Sequence, residues 1–92
     1  MAALATCYCN DVYREAERLG IEITGCEVTA SAQFAGIGFA ARSVWYSARV
    51  DSPASPEQIE LLLAETDRVA EVHNTLRAGC AVRRVPWSEA SA

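Results

Sequence analysis

Lysine is absent from this 92-residue sequence: all eight basic residues are arginine, against twelve acidic residues. The formal net charge at pH 7 is −4, and Arg83-Arg84 is the one adjacent basic pair. A nucleic-acid backbone is bound by a clustered positive face, which this sequence does not offer. We therefore expect no nucleic-acid partner.

Long apolar runs and a basic N-terminal region are also lacking. Crossing a bilayer takes roughly 18 consecutive apolar residues, and a signal peptide begins with positive charge; the sequence has neither feature. The hydrophobic fraction of 51% and the charged fraction of 22% are typical of a globular protein. The sequence thus predicts a cytoplasmic protein without a membrane partner, in which the four cysteines are reduced thiols.

Hydrophobic periodicity predicts a helix followed by a β-hairpin in the first half of the chain. The helix runs from about residue 2 to 19 and ends at Gly20, a residue suited to helix C-termini. Alternating apolar residues then predict strands over about residues 21–33 and 39–51. A one-residue slip in the first of these alternations predicts a bulge at Gly25.

The second half of the chain predicts one long helix and a short strand. Ser55 caps the helix, Pro56 occupies its first position, and an apolar face continues almost to Gly79 without a break. Residues 80–85 then form a final strand before Pro86.

The predicted order α-β-β-α-β defines a single α+β domain over residues 1–92, with a small antiparallel or mixed sheet packed on helices. We expect residues 2 to about 86 to be ordered and residues 87–92 to form a tail. These few elements bury one thin core, which leaves one sheet face and one side of the first helix uncovered. The sequence therefore predicts self-association or a partner chain.

Cys7 carries the most chemical interest, because it lies near the N-terminus of the first predicted helix. The positive end of a helix dipole favours the thiolate, which is the nucleophilic and oxidisable form of cysteine. Cys7 lies away from the centre of the apolar stripe, on the side of Asp11, Arg14 and Arg18. The functional interpretation is a peroxidatic or redox-sensing thiol, and the alternative is a small residue packed in an alanine-rich helix.

The other cysteines and the single histidine are predicted to be structural. Cys9 edges the apolar stripe, Cys26 and Cys80 lie in predicted strands, and His73 lies on an apolar helix face. A structural zinc site usually combines two paired ligand clusters, whereas this sequence has one C-x-C pair. We predict neither a metal nor another cofactor.

Three stretches resemble the C-terminal half of the OsmC/Ohr family, named for osmotically inducible and organic hydroperoxide resistance proteins. Leu4–Asp11 is similar to the family's central helix, Gly20–Val28 to the strand after it, and Ala70–Gly79 to the segment with the family's second cysteine. The family reduces organic hydroperoxides with a cysteine pair and forms intertwined homodimers. The resemblance implies that Cys7 is the peroxidatic thiol and that Asp11 is its helix neighbour.

The sequence departs from the family at positions that the family's chemistry uses. The second cysteine and the proline after it would fall at Ala70 and Glu71, so the resolving thiol is missing. The family's N-terminal strands, which supply an arginine to the thiolate, have no counterpart before Cys7. Loss of the proline agrees with an unbroken second helix.

Two functions follow as alternatives. In the first, the chain is an OsmC-like thiol-dependent peroxidase of oxidative stress defence, with an organic hydroperoxide as substrate, and has weak activity or none by itself. An external thiol, Cys9 or Cys80 would then have to resolve the Cys7 sulfenic acid. In the second, the chain is a non-catalytic module with structural cysteines, which forms a homodimer or binds a chain that supplies the missing strands.

Overall fold

The computed structural model describes residues 2–89. Its elements are α1 (Ala2–Leu19), β1 (Gly25–Phe34), β2 (Ala41–Asp51), α2 (Pro56–Val69), α3 (Glu71–Ala78) and a short 3-10 helix (Trp87–Glu89). The two strands form one antiparallel sheet that packs on the helices. This architecture confirms the predicted α+β fold class. Over the described residues, no helix combines the length and apolar character that crossing a membrane takes.

Helix α1 ends at Gly20, as the sequence predicts. Gly20 has a φ of 71°, in the left-handed region that favours glycine. Its N–H donates to the carbonyl of Glu17 at 3.2 Å, and the N–H of Ile21 donates to that of Ala16 at 2.8 Å. These two bonds form a Schellman motif, which satisfies carbonyls left open at the helix end and turns the chain toward the sheet.

The predicted hairpin is confirmed, although both strands begin later than predicted, at Gly25 rather than about residue 21 and at Ala41 rather than about residue 39. Cys26 pairs with Val50 and Val28 with Ala48 in a continuous antiparallel register. Because side chains alternate across a strand, these residues share one face, and that face packs on the helices.

The predicted bulge at Gly25 is wrong. Gly25 opens β1 in regular register with Asp51, and the irregularity lies at the other end of the hairpin, between Gln33 and Phe34. The slip in the apolar pattern has another cause: Ile21 and Ile23 precede the strand and contact the core from an irregular segment. The missing side chain of Gly25 instead allows the Asp51 side chain to approach the backbone closely, since a Cβ at this position would lie 2.9 Å from the Asp51 carboxylate.

The prediction of one unbroken second helix is also wrong. Its start is as predicted, with a reciprocal Ser55–Gln58 capping box and Pro56 in the first turn. The helix then stops at Ala70, whose ψ of 110° is extended. The side-chain amide of Asn74 donates to the Arg68 carbonyl at 3.0 Å, which compensates for a backbone bond lost at the break. A break at this position therefore does not require a proline.

The predicted final strand is likewise wrong, because residues 80–85 have no regular secondary structure. Within residues 2–89 the sheet has two strands, so the order is helix, strand, strand, helix, helix. The predicted tail begins with the 3-10 helix Trp87–Glu89, and residues 90–92 lie outside the described part of the chain.

The core lies where α1 crosses α2 and the hairpin. Tyr8 and Val12 of α1, Leu62 of α2 and Ala70 between α2 and α3 are at most 1% exposed. The sheet contributes one face to this core, through Val28, Ala48 and their neighbours. The side of α1 that packs in the core, which includes Tyr8 and Val12, is therefore the apolar side that the periodicity predicts.

Two adjacent leucines of α2 test this packing. Leu62 is fully buried and Leu61 is 56% exposed. We expect Leu62→Ala to lower the free energy of unfolding by about 2–5 kcal/mol, since it removes buried methyl groups and leaves a cavity. Leu61→Ala is the matched control and should change it by less than about 1 kcal/mol. Urea denaturation measures both, and equal losses would show that Leu62 is not in the core.

Candidate functional site

Cys7 lies within the first two turns of α1 and is partly exposed. Leu4, one turn earlier, is buried and lines a cleft of about 170 Å³ together with Val44 of β2 and His73 and Leu76 of α3. The Arg77 side chain also lines this cleft, so its lining is partly polar, and Cys7 is not one of the lining residues. Cys7 therefore lies one turn after a residue that lines the cleft, and its side chain is partly exposed.

Asp11, one turn after Cys7, is buried at 9% exposure, although the apolar pattern had placed it off the core-facing stripe. Burial and the neighbouring Glu71 carboxylate raise the pKa of Asp11, while Arg14 opposes this shift. Over residues 2–89 no hydrogen bond joins Asp11 to the Cys7 thiol. Asp11 thus shares the helix with Cys7 and is engaged by Arg14, at 3.4 Å.

The arginines of α1 are occupied by carboxylates. The Arg14 guanidinium also lies 3.2 Å from Glu15 and 2.9 Å from Glu71 of α3. Arg18 lies 2.8 Å from Glu15 and 3.3 Å from Glu65 of α2. These pairs hold α1 against the two later helices and explain why Glu15 is buried, which the sequence pattern did not indicate. Neither arginine is directed at Cys7 by these contacts.

Three rings from three elements meet next to the cleft. Tyr8 of α1 stacks on His73 of α3 with ring centroids 4.8 Å apart, and Tyr46 of β2 meets His73 edge-on at 4.4 Å. The two tyrosine rings are 4.6 Å apart. The Tyr8 hydroxyl donates to the Leu63 carbonyl of α2 at 2.9 Å. This aromatic cluster therefore joins every principal element except β1.

His73 is 4% exposed, and neither ring nitrogen has a hydrogen-bond partner among the described residues. Burial, followed by the positive charge of Arg77, lowers the pKa of His73 against the opposing pull of Asp67 and Asp11. The imidazole is thus held neutral at neutral pH. The sequence predicted a structural histidine, and the stacking between tyrosines fits that role.

Tyr46 and Arg77 converge on one carboxylate. The Tyr46 hydroxyl and the Arg77 guanidinium, the latter at 2.7 Å, both donate to the same oxygen of Asp67. Although burial favours the neutral acid, these two donors hold the pKa of Asp67 below its usual value. Burial and the bond to Asp67 raise the pKa of Tyr46, so the phenol stays protonated. The sequence pattern gave no signal for this network, whose members are far apart in the chain.

The remaining cysteines have different surroundings. Cys9 of α1 and Cys26 of β1 are half-buried and meet where the helix packs on the strand. Cys80 follows α3 and is exposed, so its predicted place in a core strand is wrong. Over the described residues, no three potential metal ligands cluster together.

An antiparallel hairpin packed on a helix with a partly exposed thiol near its start, together with two further helices, makes this an α+β protein. A family model described as "OsmC-like protein" matches residues 1–83. The chain therefore belongs to the OsmC-like family.

A solved structure supports the same fold. The crystal structure of an OsmC like protein from Mycoplasma pneumoniae matches this chain with a TM-score of 0.75 at 20% identity. The match covers 83% of this chain and 57% of that one, so the chain spans little more than half of that neighbour's length. At this identity the likeness shows the fold alone. No curated protein matches the sequence.

The single histidine allows a direct test of its burial. Because folding lowers the pKa of His73 below its usual 6.5, the unfolded chain binds the proton more tightly. The free energy of unfolding should therefore be highest above pH 6.5 and decrease as the pH falls through 6.5 toward the folded-state value. Urea denaturation between about pH 8 and pH 5.5 covers this window while avoiding most carboxylate titration.

His73→Phe is the matched control, since it keeps an aromatic ring in the cluster and cannot take up a proton. Its free energy of unfolding should vary less over the same pH window than that of the wild type. Identical slopes for the two proteins would contradict the shift. The NMR titration of the wild-type imidazole gives the folded-state pKa independently.

Proposed function

We propose that this chain takes part in thiol-dependent reduction of organic hydroperoxides, with Cys7 as the peroxidatic thiol, and that its activity by itself is weak. The observation that carries the proposal is the position of Cys7: a partly exposed thiol in the first two turns of α1, one turn after Leu4, which lines the cleft. The helix dipole favours the thiolate there, and the cleft suits the alkyl part of a hydroperoxide.

The reaction proceeds by attack of the Cys7 thiolate on the peroxide oxygen farther from the alkyl group. An S–O bond forms, the O–O bond breaks, and the alkoxide leaves and takes up a proton as an alcohol. Cys7 is thereby oxidised to a sulfenic acid. A thiol then attacks the sulfenic sulfur and releases water, and a second thiol reduces the resulting disulfide.

The geometry supports weak turnover for two reasons. Arg14 is engaged with Asp11, Glu15 and Glu71, so it is committed to holding the helices together. Ala70, at the family-like position of the second cysteine, is fully buried and has no thiol. Cys9 cannot replace it within the helix, because residues two apart do not face each other.

Asp11 enters this proposal as the helix neighbour of the thiol. Its carboxyl has a raised pKa through burial and the nearby Glu71, and it takes part in orienting Arg14. Its role in this proposal is therefore to position the Arg14 guanidinium. Four free thiols fit a reducing compartment such as the cytoplasm.

Cys7→Ser tests the chemistry directly. On addition of an alkyl hydroperoxide, the reduced wild-type chain should form a sulfenic acid at Cys7, detected by mass spectrometry after trapping, and Cys7→Ser should form none there or elsewhere at a comparable rate. Steady-state turnover with a dithiol should be slow in the wild type and absent in the variant. Cys80→Ser, which removes an exposed thiol, is the control and should behave as wild type. Equal oxidation of all four thiols would show that Cys7 has only a packing role.

We further propose a second copy of this chain as the partner, in a homodimer. The hairpin end projects apolar side chains into solvent: Phe34, Ile37, Phe39 and Trp45 are each more than half exposed. The radius of gyration is 16.0 Å, against about 12 Å for a compact chain of this length. In a chain of this extended shape, an exposed apolar group of side chains at one end is typical of a surface that another chain covers.

Ile37→Ser tests the hairpin as the dimer contact. We expect the wild type to sediment as a dimer at tens of micromolar, and Ile37→Ser to weaken the association by about tenfold or more, since burial of such a side chain contributes about 1.5–3 kcal/mol. Val82→Ser is the control, because Val82 is also almost fully exposed but lies outside the hairpin. A monomeric wild type would contradict the dimer.

The second candidate function is a non-catalytic module. The ion pairs of Arg14 with three carboxylates favour it, because they leave this arginine engaged in helix packing. In this case the cysteines are structural, and the chain dimerises or completes another chain that supplies N-terminal strands. An ordered dimer without Cys7-dependent peroxide consumption would support this function over the first.

A further inference from the structure

Two thiols that the proposed reaction does not use meet at the contact between α1 and β1. The Cys9 thiol donates to the backbone carbonyl of Cys26 at 3.7 Å. Burial, followed by the neighbouring Cys9 thiol, raises the pKa of Cys26 to about 12. Both residues are half-buried, so solvent reagents reach the pair.

We propose that Cys9 and Cys26 form a reversible disulfide that cross-links α1 to the hairpin when the chain meets a low-molecular-weight disulfide. This pair does not depend on the peroxidase proposal, because it involves neither Cys7 nor a hydroperoxide. It gives the chain two covalent states, one open and one cross-linked.

The exchange needs no oxidant other than the low-molecular-weight disulfide. The Cys9 thiolate attacks the small disulfide, forming a mixed disulfide and releasing one small thiolate. The Cys26 thiolate then attacks the Cys9 sulfur, forming the Cys9–Cys26 bond and releasing the second. Two protein thiols are oxidised, one small disulfide is reduced to two thiols, and the protons pass from the protein thiols to the released thiolates.

The fold selects this pair among the four cysteines. Packing of α1 on β1 keeps Cys9 and Cys26 in contact in the folded state, and a high effective concentration favours ring closure over a second mixed disulfide. Cys7 lies two positions away on the same helix and so faces another direction from Cys9. Cys80 is exposed beyond α3 and is not part of this contact.

The cross-link has a structural consequence for the candidate site. It would fix the turn of α1 that contains both Cys7 and Cys9 against β1, and it would restrict the unfolded chain by closing a loop between residues 17 apart. The oxidised chain should therefore unfold at a higher temperature than the reduced chain.

The experiment equilibrates the full chain with mixtures of reduced and oxidised glutathione, alkylates the remaining thiols and digests with trypsin. Cleavage after arginine leaves Cys9 in peptide 1–14, Cys26 in peptide 19–42 and Cys80 in peptide 78–83. Incubation continues until the ratios are constant, because a pKa of about 12 keeps the Cys26 thiolate scarce and the exchange slow. The expected product joins peptides 1–14 and 19–42 and has the mass of a single chain before digestion.

Two variants identify the partner within peptide 1–14. Cys7→Ser should retain the cross-link, and Cys9→Ser should reduce its yield by about tenfold or more. The wild type should show a higher unfolding temperature when oxidised, and Cys9→Ser should not. A cross-link that persists in Cys9→Ser, a covalent dimer in place of the single-chain product, or mixed disulfides without any cross-link would each overturn the proposal.

Discussion

The position of Tyr8 is the constraint on which the rest of the structure depends. Its hydroxyl donates to a carbonyl of α2, and its ring contacts Tyr46 of the hairpin and His73 of α3. One side chain at 1% exposure thus fixes α1 relative to three other elements. Since Cys7 is its immediate neighbour in the helix, the direction in which that thiol projects follows from how Tyr8 is held.

Local features of the fold could be predicted from the sequence because their causes are local. The Schellman end at Gly20, the Ser55 capping box and the alternation of the two strands each rest on residues a few positions apart. The same reasoning placed Cys7 near a helix start. The positions of such elements follow from patterns that a few residues define.

Features that depend on contacts between distant residues could not be predicted. An apolar stripe that continues past Ala70 indicates a continuous helix, whereas the break depends on hydrogen bonds from side chains of α3. Likewise, Asp11 and Glu15 are polar residues that hydropathy assigns to solvent, and Arg14, whose partners include one on α3, makes their burial tolerable. The candidate site likewise depends on distant residues: no sequence pattern indicates that the rings of Tyr8, Tyr46 and His73 meet.

The three rings of the aromatic cluster come from the beginning, the middle and the later part of the chain. Each ring contact therefore closes a long loop. The chain loses the entropy of closing that loop before the ring contact can stabilise the fold. During synthesis, α1 and the hairpin leave the ribosome before α3, and the Tyr8 and Tyr46 rings remain without their third partner until α3 has emerged. The synthesis of α3 thus determines when α1 acquires a stable core.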